Sequence, residues 1–102
     1  MYTGNTLNGL RQGKGTSYHW NGKKKYCGNF KDDKQNGEGI GHWLNGNVSY
    51  RGNWINDTWH GYGIKYDIDG REACRGYWEN DNLIKLDYKA KNSIIIDKGI
   101  SF

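Results

Sequence analysis

Proline is absent from this chain of 102 residues, and only two of its residues are cysteines. Isoleucine, leucine, valine and phenylalanine together number 17, a share below the roughly 20% at which disorder becomes common. No apolar run approaches the ~18 residues of a membrane-spanning helix, and no charged and apolar leader typical of secretion opens the chain. These absences argue against a large globular α/β core, a membrane span and secretion.

Aromatic residues and glycine are abundant instead. Aromatics make up 15% of the chain, with 5 tryptophans and 8 tyrosines, and 16 residues are glycine. Disorder also requires a high net charge, whereas the formal net charge here is only +4. Because each aromatic ring buries a large area, the composition predicts a thin, glycine-punctuated, aromatic-rich β structure. The length allows one domain or one short repeat array.

The glycines recur every 24 residues without a gap. Thirteen of the 16 fall in four columns: Gly4, Gly28, Gly52 and Gly76; Gly13, Gly37 and Gly61; Gly15, Gly39 and Gly63; Gly22, Gly46 and Gly70. Two further columns are mostly aromatic: Tyr2, Tyr26, Tyr50 and Cys74, then Thr6, Phe30, Trp54 and Trp78. A period of about 20 to 50 residues is typical of repeat architectures, in which neighbouring units share one core.

Each repeat predicts two short strands. Strand A starts at the tyrosine, as in 26–31, and strand B starts at the Gly-x-Gly, as in 37–44. The polar links from A to B are predicted to be loose. Strand B runs into the next strand A through dipeptides that predict type I′ turns, in which both central residues have positive φ: Asn21-Gly22, Asn45-Gly46 and Asp69-Gly70.

The strand period of two sorts the side chains into faces. In strand A the tyrosine, the glycine and the next aromatic share one face, and the glycine lets rings from neighbouring units lie flat against the backbone. In strand B we expect the core in three stacked columns: Thr16, Ile40 and Ile64; Tyr18, His42 and Tyr66; Trp20, Leu44 and Ile68.

Tyr26-Cys27-Gly28-Asn29-Phe30, followed by Gly37-Glu38-Gly39 and Gly46, resembles one unit of the MORN (membrane occupation and recognition nexus) repeat family. Residues 50–70 form a second full copy. The pattern decays at both ends of the chain, at Thr6, Cys74, Lys85 and Asp87. The resemblance implies an all-β fold, an elongated, twisted, antiparallel single sheet of repeated β-hairpins, open like a solenoid, with a concave aromatic groove. It also implies interaction and assembly roles, sometimes near membranes.

The resemblance divides the chain into a repeat array at 1–90 and a C-terminal capping segment at 91–102. The repeats are 2–25, 26–49, 50–73 and a partial one at 74–90. Within the tail, Ser93-Ile94-Ile95-Ile96-Asp97 is β-branched and apolar. We expect it to close the exposed sheet edge as a capping strand. The alternative is a peptide for which another molecule supplies the sheet.

Catalytic and metal chemistry find no support in the sequence. Cys27 and Cys74 lie about four strand steps apart, roughly 19 Å at the spacing of a sheet, whereas a disulfide needs Cα atoms within about 7 Å. We therefore expect a surface thiol at Cys27, a buried thiol at Cys74 and a reducing, cytoplasmic compartment. His42 stands in a tyrosine column as a core or groove residue, and His60 stands in a predicted loop. Since no His, Cys or carboxylate set recurs at a suitable spacing, no enzyme activity, metal or cofactor is predicted.

Lys23, Lys24 and Lys25 form the main basic run, at one rim of the predicted sheet. The run either protects a sheet edge as a solvated stretch or contacts anionic lipid headgroups, at about 1 kcal/mol per lysine. Peripheral association with an anionic membrane is therefore one candidate function. Nucleic acid is not an expected partner, because the basic excess is small and the aromatics belong to columns of the fold.

The leading candidate is a non-enzymatic scaffold that binds a helix or extended segment of a partner protein in the aromatic groove. The predicted groove residues are Tyr26, Phe30, Tyr50, Trp54, Trp78 and Trp59. The same columns can equally serve packing alone, and Trp59 either anchors an interface from its loop or folds back over the neighbouring unit. Open sheet ends also allow a homodimer. A carbohydrate- or choline-binding repeat is a third candidate, because such repeats are glycine- and aromatic-rich hairpins.

Overall fold

The computed structural model describes residues 1–89, so the predicted cap at 91–102 lies outside the described residues. The described chain is all-β and forms one open antiparallel sheet of eight strands in sequence order. The strands are β1 (Tyr2–Leu7), β2 (Leu10–Tyr18), β3 (Lys24–Lys31), β4 (Lys34–His42), β5 (Val48–Ile55), β6 (Thr58–Tyr66), β7 (Glu72–Glu79) and β8 (Asn82–Lys89). Extents of 49 × 26 × 16 Å agree with the predicted elongated single sheet of hairpins.

The turns differ from the sequence prediction. Both residues of Asp32-Asp33 have positive φ, 49° and 72°, so the A-to-B links are tight type I′ turns rather than loose ones. Asn and Asp can take this left-handed conformation, which explains how the turn forms without glycine. In the B-to-A connections only the glycine has positive φ, 85° at Gly22. There a four-residue turn closes with a hydrogen bond from Gly22 N to His19 O of 2.9 Å.

The strands begin earlier than predicted, strand B because its A-to-B link is tight. β3 begins at Lys24, two residues before the tyrosine, and β4 begins at Lys34, three residues before the Gly-x-Gly. For the same reason Trp59 and His60 lie within β6 and not in a loop.

Side chains at both long edges of the sheet bind successive repeats together. On one edge a turn aspartate accepts a hydrogen bond from a backbone N–H of the preceding repeat: Arg11 N to Asp33 Oδ1 (3.2 Å), Gln35 N to Asp57 Oδ1 (2.8 Å) and Trp59 N to Asp81 Oδ1 (2.7 Å). On the other edge an asparagine donates to the next turn: Asn21 Nδ2 to Leu44 O and Asn45 Nδ2 to Ile68 O, both 2.8 Å. The repeats are therefore fixed to one another at each turn as well as along each strand.

The core lies on one face of the sheet, called the aromatic face, and consists of side chains from the strand A columns: Tyr26, Phe30, Tyr50, Trp54, Cys74 and Trp78. The predicted strand B core is wrong. Thr16, Ile40 and Ile64 are only half-buried, and Trp20, at the tip of a turn, is 88% exposed. The prediction fails for two reasons. The sheet has only one packed face here, and Trp20, Leu44 and Ile68 lie in turns beyond the ends of β2, β4 and β6.

Glycine makes room for the rings of the core. A Cβ on Gly39 would overlap the hydroxyl and ring of Tyr26, and one on Gly63 would overlap Tyr50 in the same way. Each tyrosine therefore lies across the Gly-x-Gly of its own repeat, where the sequence predicted contact with neighbouring units. The cysteines are thiols, Cys74 buried as predicted and Cys27 half-buried instead of on the surface.

Candidate functional site

The six predicted groove residues come together on the aromatic face as one continuous row of rings. Tyr26 contacts Phe30 edge-on at 5.1 Å between centroids and Trp54 at 5.0 Å. Tyr50 repeats the arrangement with Trp54 at 5.3 Å and Trp78 at 5.9 Å. Edge-to-face pairs at these distances are favourable beyond the area they bury. The row therefore spans at least three repeats as one rigid surface.

Most of this row is sealed against solvent. Tyr26 and Tyr50 are fully buried, and Phe30, Trp54 and Trp78 retain only a few per cent of their exposure. Their polar atoms are satisfied by backbone: Tyr26 OH donates to Asn29 O at 2.8 Å, and Trp54 Nε1 donates to Gly39 O at 3.1 Å. Burial raises the pKa of Tyr50 to about 12 and moves the pKa of Tyr26 in the same direction. Tyr26, Phe30, Tyr50 and Trp78 therefore pack the sheet from within, and none of the depressions among the described residues is lined by them.

Trp59 is the most open of the six predicted residues. Its ring stacks on Tyr50 at 4.8 Å with an interplanar angle of 7°, and its edge meets Trp78 at 5.1 Å. It is half-buried. Trp59 therefore folds back onto the sheet while part of its surface stays open, and its role as an interface anchor stays a prediction.

Two neighbouring depressions of about 440 and 530 Å³ lie beside the row of rings, and Trp54 and Trp59 line the larger one. Both are lined by Lys25, Gln35 and Asp57, and we call the two together the aromatic-face groove. At one end it reaches Ser17 and Tyr18; at the other it reaches Trp54, Trp59 and Asp81. The Ser17 hydroxyl is buried and has no hydrogen-bond partner.

The lysine run does not act as one patch. Lys25 lines the aromatic-face groove, whereas the Lys23 stem lies along the turn edge, with its Cδ 3.4 Å from where a Cβ on Gly46 would stand. All three lysines are exposed. The run therefore divides between the groove and the edge.

Sequence reasoning missed an exposed apolar row along that edge. Trp20, Leu44 and Ile68 occupy equivalent turn positions and are 88%, 47% and 52% exposed. Their 24-residue recurrence was visible, but their apolar character suggested a core column. The sequence also missed Gln35 and Asp57 in the groove. Their signal was the same recurrence, as Arg11, Gln35 and Trp59 and as Asp33, Asp57 and Asp81.

Two of the three histidines, His19 and His42, serve the turn edge. His19 Nε2 donates to His42 O at 2.9 Å, and His42 Nδ1 donates to Gly46 O at 3.0 Å, so both rings bond to backbone carbonyls while lining the groove. In the described residues, no three His, Cys, Asp or Glu side chains come together in a way that could hold a metal ion.

A larger depression of about 690 Å³ lies on the opposite face. Its floor is glycine backbone, and its walls carry charges of both signs, from Lys14, Glu38 and Arg51. No aromatic ring lines it. It therefore offers a ligand no ring to pack against, unlike the aromatic-face groove.

No protein-family model matches this chain, and no curated protein matches it. The resemblance to MORN repeats therefore rests on the 24-residue pattern alone.

Proposed function

We propose that this chain is a non-enzymatic scaffold that binds a segment of a partner protein in the aromatic-face groove. The observation that carries the proposal is the groove itself, which lies on the aromatic face and is lined by Trp54 and Trp59 of the packed row. A groove whose floor is already rigid loses little conformational entropy on binding. Polar groups at its rim, on Lys25, Gln35 and Asp57, would orient the segment.

The experiment is selection of a displayed random-peptide library on the folded chain, with a groove-filling variant as the comparison. Gln35→Trp places a ring where the next repeat has Trp59, so the fold has a precedent for it. Arg51→Trp adds the same ring on the opposite face and is the matched control. Peptides enriched on the parent chain should lose at least about tenfold in affinity to Gln35→Trp, an effect of about 1.4 kcal/mol, and should keep their affinity for Arg51→Trp. Groove binding would be refuted if the peptides lost affinity equally for both variants, or if they bound both variants as tightly as the parent chain.

Peripheral membrane association is the second candidate, and the apolar row favours it. Trp20, Leu44 and Ile68 protrude singly from successive turns, and exposed Lys23 and Lys24 lie on the same edge. Side chains that project in a row suit a flat interface better than a concave partner, and tryptophan favours the membrane–water boundary. No helix among residues 1–89 is long and apolar enough to cross a membrane.

Vesicle co-sedimentation tests the membrane candidate. We expect pelleting with phosphatidylcholine–phosphatidylserine vesicles that weakens at high salt and is lost in Trp20→Ser with Leu44→Ser. Ile55→Ser, also an exposed apolar residue but on the opposite edge, is the matched control. Absence of pelleting on anionic vesicles at low salt would eliminate this candidate.

A further inference from the structure

The first repeat contains a cation bound against the aromatic face. Arg11 Nε donates to Asp33 Oδ1 at 2.7 Å, and Arg11 Nη2 donates to the Asp33 carbonyl. The guanidinium carbon lies 4.9 Å from the centroid of the Phe30 ring and 5.8 Å from that of Tyr2. The contact combines a charge-assisted hydrogen bond with packing of a guanidinium over rings. The chain itself thus shows which chemical group fits between a turn aspartate and this row of rings.

The third repeat fills the equivalent position with a ring. Trp59 stands 48 residues after Arg11, stacks on Tyr50 and contacts Trp78. Lys65 Nζ lies 5.8 Å from the Trp59 ring centroid. In this repeat, too, the position between the rings is occupied and a cation lies nearby.

The second repeat keeps the aspartate and the ring but lacks the cation. Gln35 replaces Arg11, Asp57 replaces Asp33, and Trp54 replaces Phe30. Gln35, Trp54 and Asp57 all line the open groove. Within the described part of the chain the ion pairs are Arg11 with Asp33 and Arg75 with Glu72, so Asp57 has no such partner there.

We propose that these three residues, here called the Gln35 pocket, bind the guanidinium of an arginine side chain in the partner segment. The proposal rests on the proposed function and names the chemistry that the groove recognises. Asp33 Oδ1 accepts from both the backbone N and the Nε of Arg11. Asp57 Oδ1 accepts from the Gln35 backbone N and by the same geometry can take a second donor. A planar guanidinium is the cation that forms two parallel hydrogen bonds with a carboxylate, and Trp54 lines the same groove.

Lys25 is the charge that opposes this binding. It lines the same groove, and its equivalents in the next repeats are Ser49 and Ala73, which are uncharged. A lysine near the pocket repels an incoming cation. Lys25→Ser, which installs the residue of the next repeat, should therefore strengthen arginine binding, by about two- to fivefold for a screened surface charge.

The direct test uses N-acetyl-arginine amide as probe and N-acetyl-citrulline amide, its neutral isostere, as the control. Titration followed by ¹⁵N–¹H NMR should shift the amides of Gln35 and Asp57 with the arginine probe and leave them in place with citrulline. Asp57→Asn keeps a side-chain oxygen for the turn and should weaken arginine binding about tenfold, as loss of a charge-assisted hydrogen bond does. Asp32→Asn makes the same charge change outside the groove and should have no effect.

A second test measures thermal stability as well as binding. Gln35→Arg should fill the pocket from within, raise the Tm by about 4 °C, and abolish binding of the arginine probe. The rise should disappear when Asp57→Asn is added, since the new pair then lacks its anion.

The proposal is overturned if citrulline binds as arginine does, if Asp32→Asn weakens binding as much as Asp57→Asn, or if Lys25→Ser weakens it. It is also overturned if Gln35→Arg leaves the Tm unchanged. These failures differ from failure of the scaffold itself. If library peptides bind the groove but are not enriched in arginine, the Gln35 pocket is refuted and the scaffold is retained. If no peptide binds in a groove-dependent way, the scaffold itself is refuted.

Discussion

The tyrosine of each strand A lies across the backbone of its own repeat, and this contact sets the identity of the residues beneath it. Tyr26 is fully buried above Gly39, where any Cβ would overlap its ring. Tyr26 OH donates to Asn29 O and so closes the irregular register beside Gly28. One ring thus requires a glycine below it, at Gly39, and satisfies a carbonyl beside it, which explains why the tyrosine recurs together with the Gly-x-Gly of its own repeat.

Gly39→Ala tests this contact. We expect a loss of about 1–3 kcal/mol in the free energy of unfolding, the usual cost of overpacking a tight core, measured by urea denaturation. In a Tyr26→Leu background the added methyl should cost much less, because contacting residues are not additive. Strictly additive losses would show that the ring does not dictate the glycine.

Alkaline pH tests the burial of the rings. Burial raises the pKa of Tyr50 to about 12, above the value of about 10 of an unfolded tyrosine. Between these values the unfolded state loses the proton first, so its proton count falls below that of the folded state and stability falls as pH rises. We expect the Tm to be steady below pH 10 and to drop from pH 10 to 12, with a smaller drop in Tyr50→Phe. A Tm that stays flat to pH 12 would contradict a buried hydroxyl.

At the residue scale the sequence located the rings but not the polar side of the groove. Tyr26, Trp54 and Trp78 were recognisable because aromatic residues recur in fixed columns. Gln35 and Asp57 were not, because their role depends on a turn aspartate meeting the preceding repeat, a contact 22 positions apart. The 24-residue recurrence marks both positions, but neither it nor strand alternation shows that the two residues meet.

At the scale of the element, each hairpin has two different ends. The Asp32-Asp33 end is a two-residue turn with positive φ at both positions, and the Asn45-Gly46 end has positive φ only at the glycine. Asn45 instead uses its side chain, whose Oδ1 accepts from Asn47 N and whose Nδ2 donates to Ile68 O. The sequence favoured the Asn-Gly dipeptides as type I′ turns, since that preference is strong on average. The B-to-A connection is longer than a two-residue turn, so the side-chain hydrogen bonds of Asn45 determine its conformation instead.

Glycine substitutions distinguish the two ends. Asp32→Gly should be neutral or slightly stabilising, because φ is 49° there and glycine adopts that conformation freely. Asp32→Ala should cost about 1 kcal/mol for the left-handed conformation. Asn45→Gly should destabilise by about 1–2 kcal/mol, since two hydrogen bonds are lost. Urea denaturation of the three variants measures their free energies of unfolding. A larger loss in Asp32→Gly than in Asp32→Ala or Asn45→Gly would contradict the turn assignment.

At the scale of the whole molecule, eight strands share one packed face. Each repeat contacts its neighbours through the ring row and through both long edges, so stability is expected to add repeat by repeat. The open antiparallel sheet was predictable because the 24-residue period is unbroken. The groove was predictable only as a row of aromatics, because the burial of those rings depends on the actual packing of the sheet. The open surface of the groove comes from Lys25, Gln35, Asp57 and Trp59, which cross three repeats.

The most direct test of the account is a ¹⁵N–¹H NMR titration of the folded chain with the tightest peptide from the library selection. We predict amide shifts at Gln35, Ser49, Asp57 and Trp59, with Cys27, Asn29 and Arg51 of the opposite face unchanged. Shifts confined to the opposite face, or to the turns that carry Trp20, Leu44 and Ile68, would contradict the claim that the aromatic-face groove is the binding site.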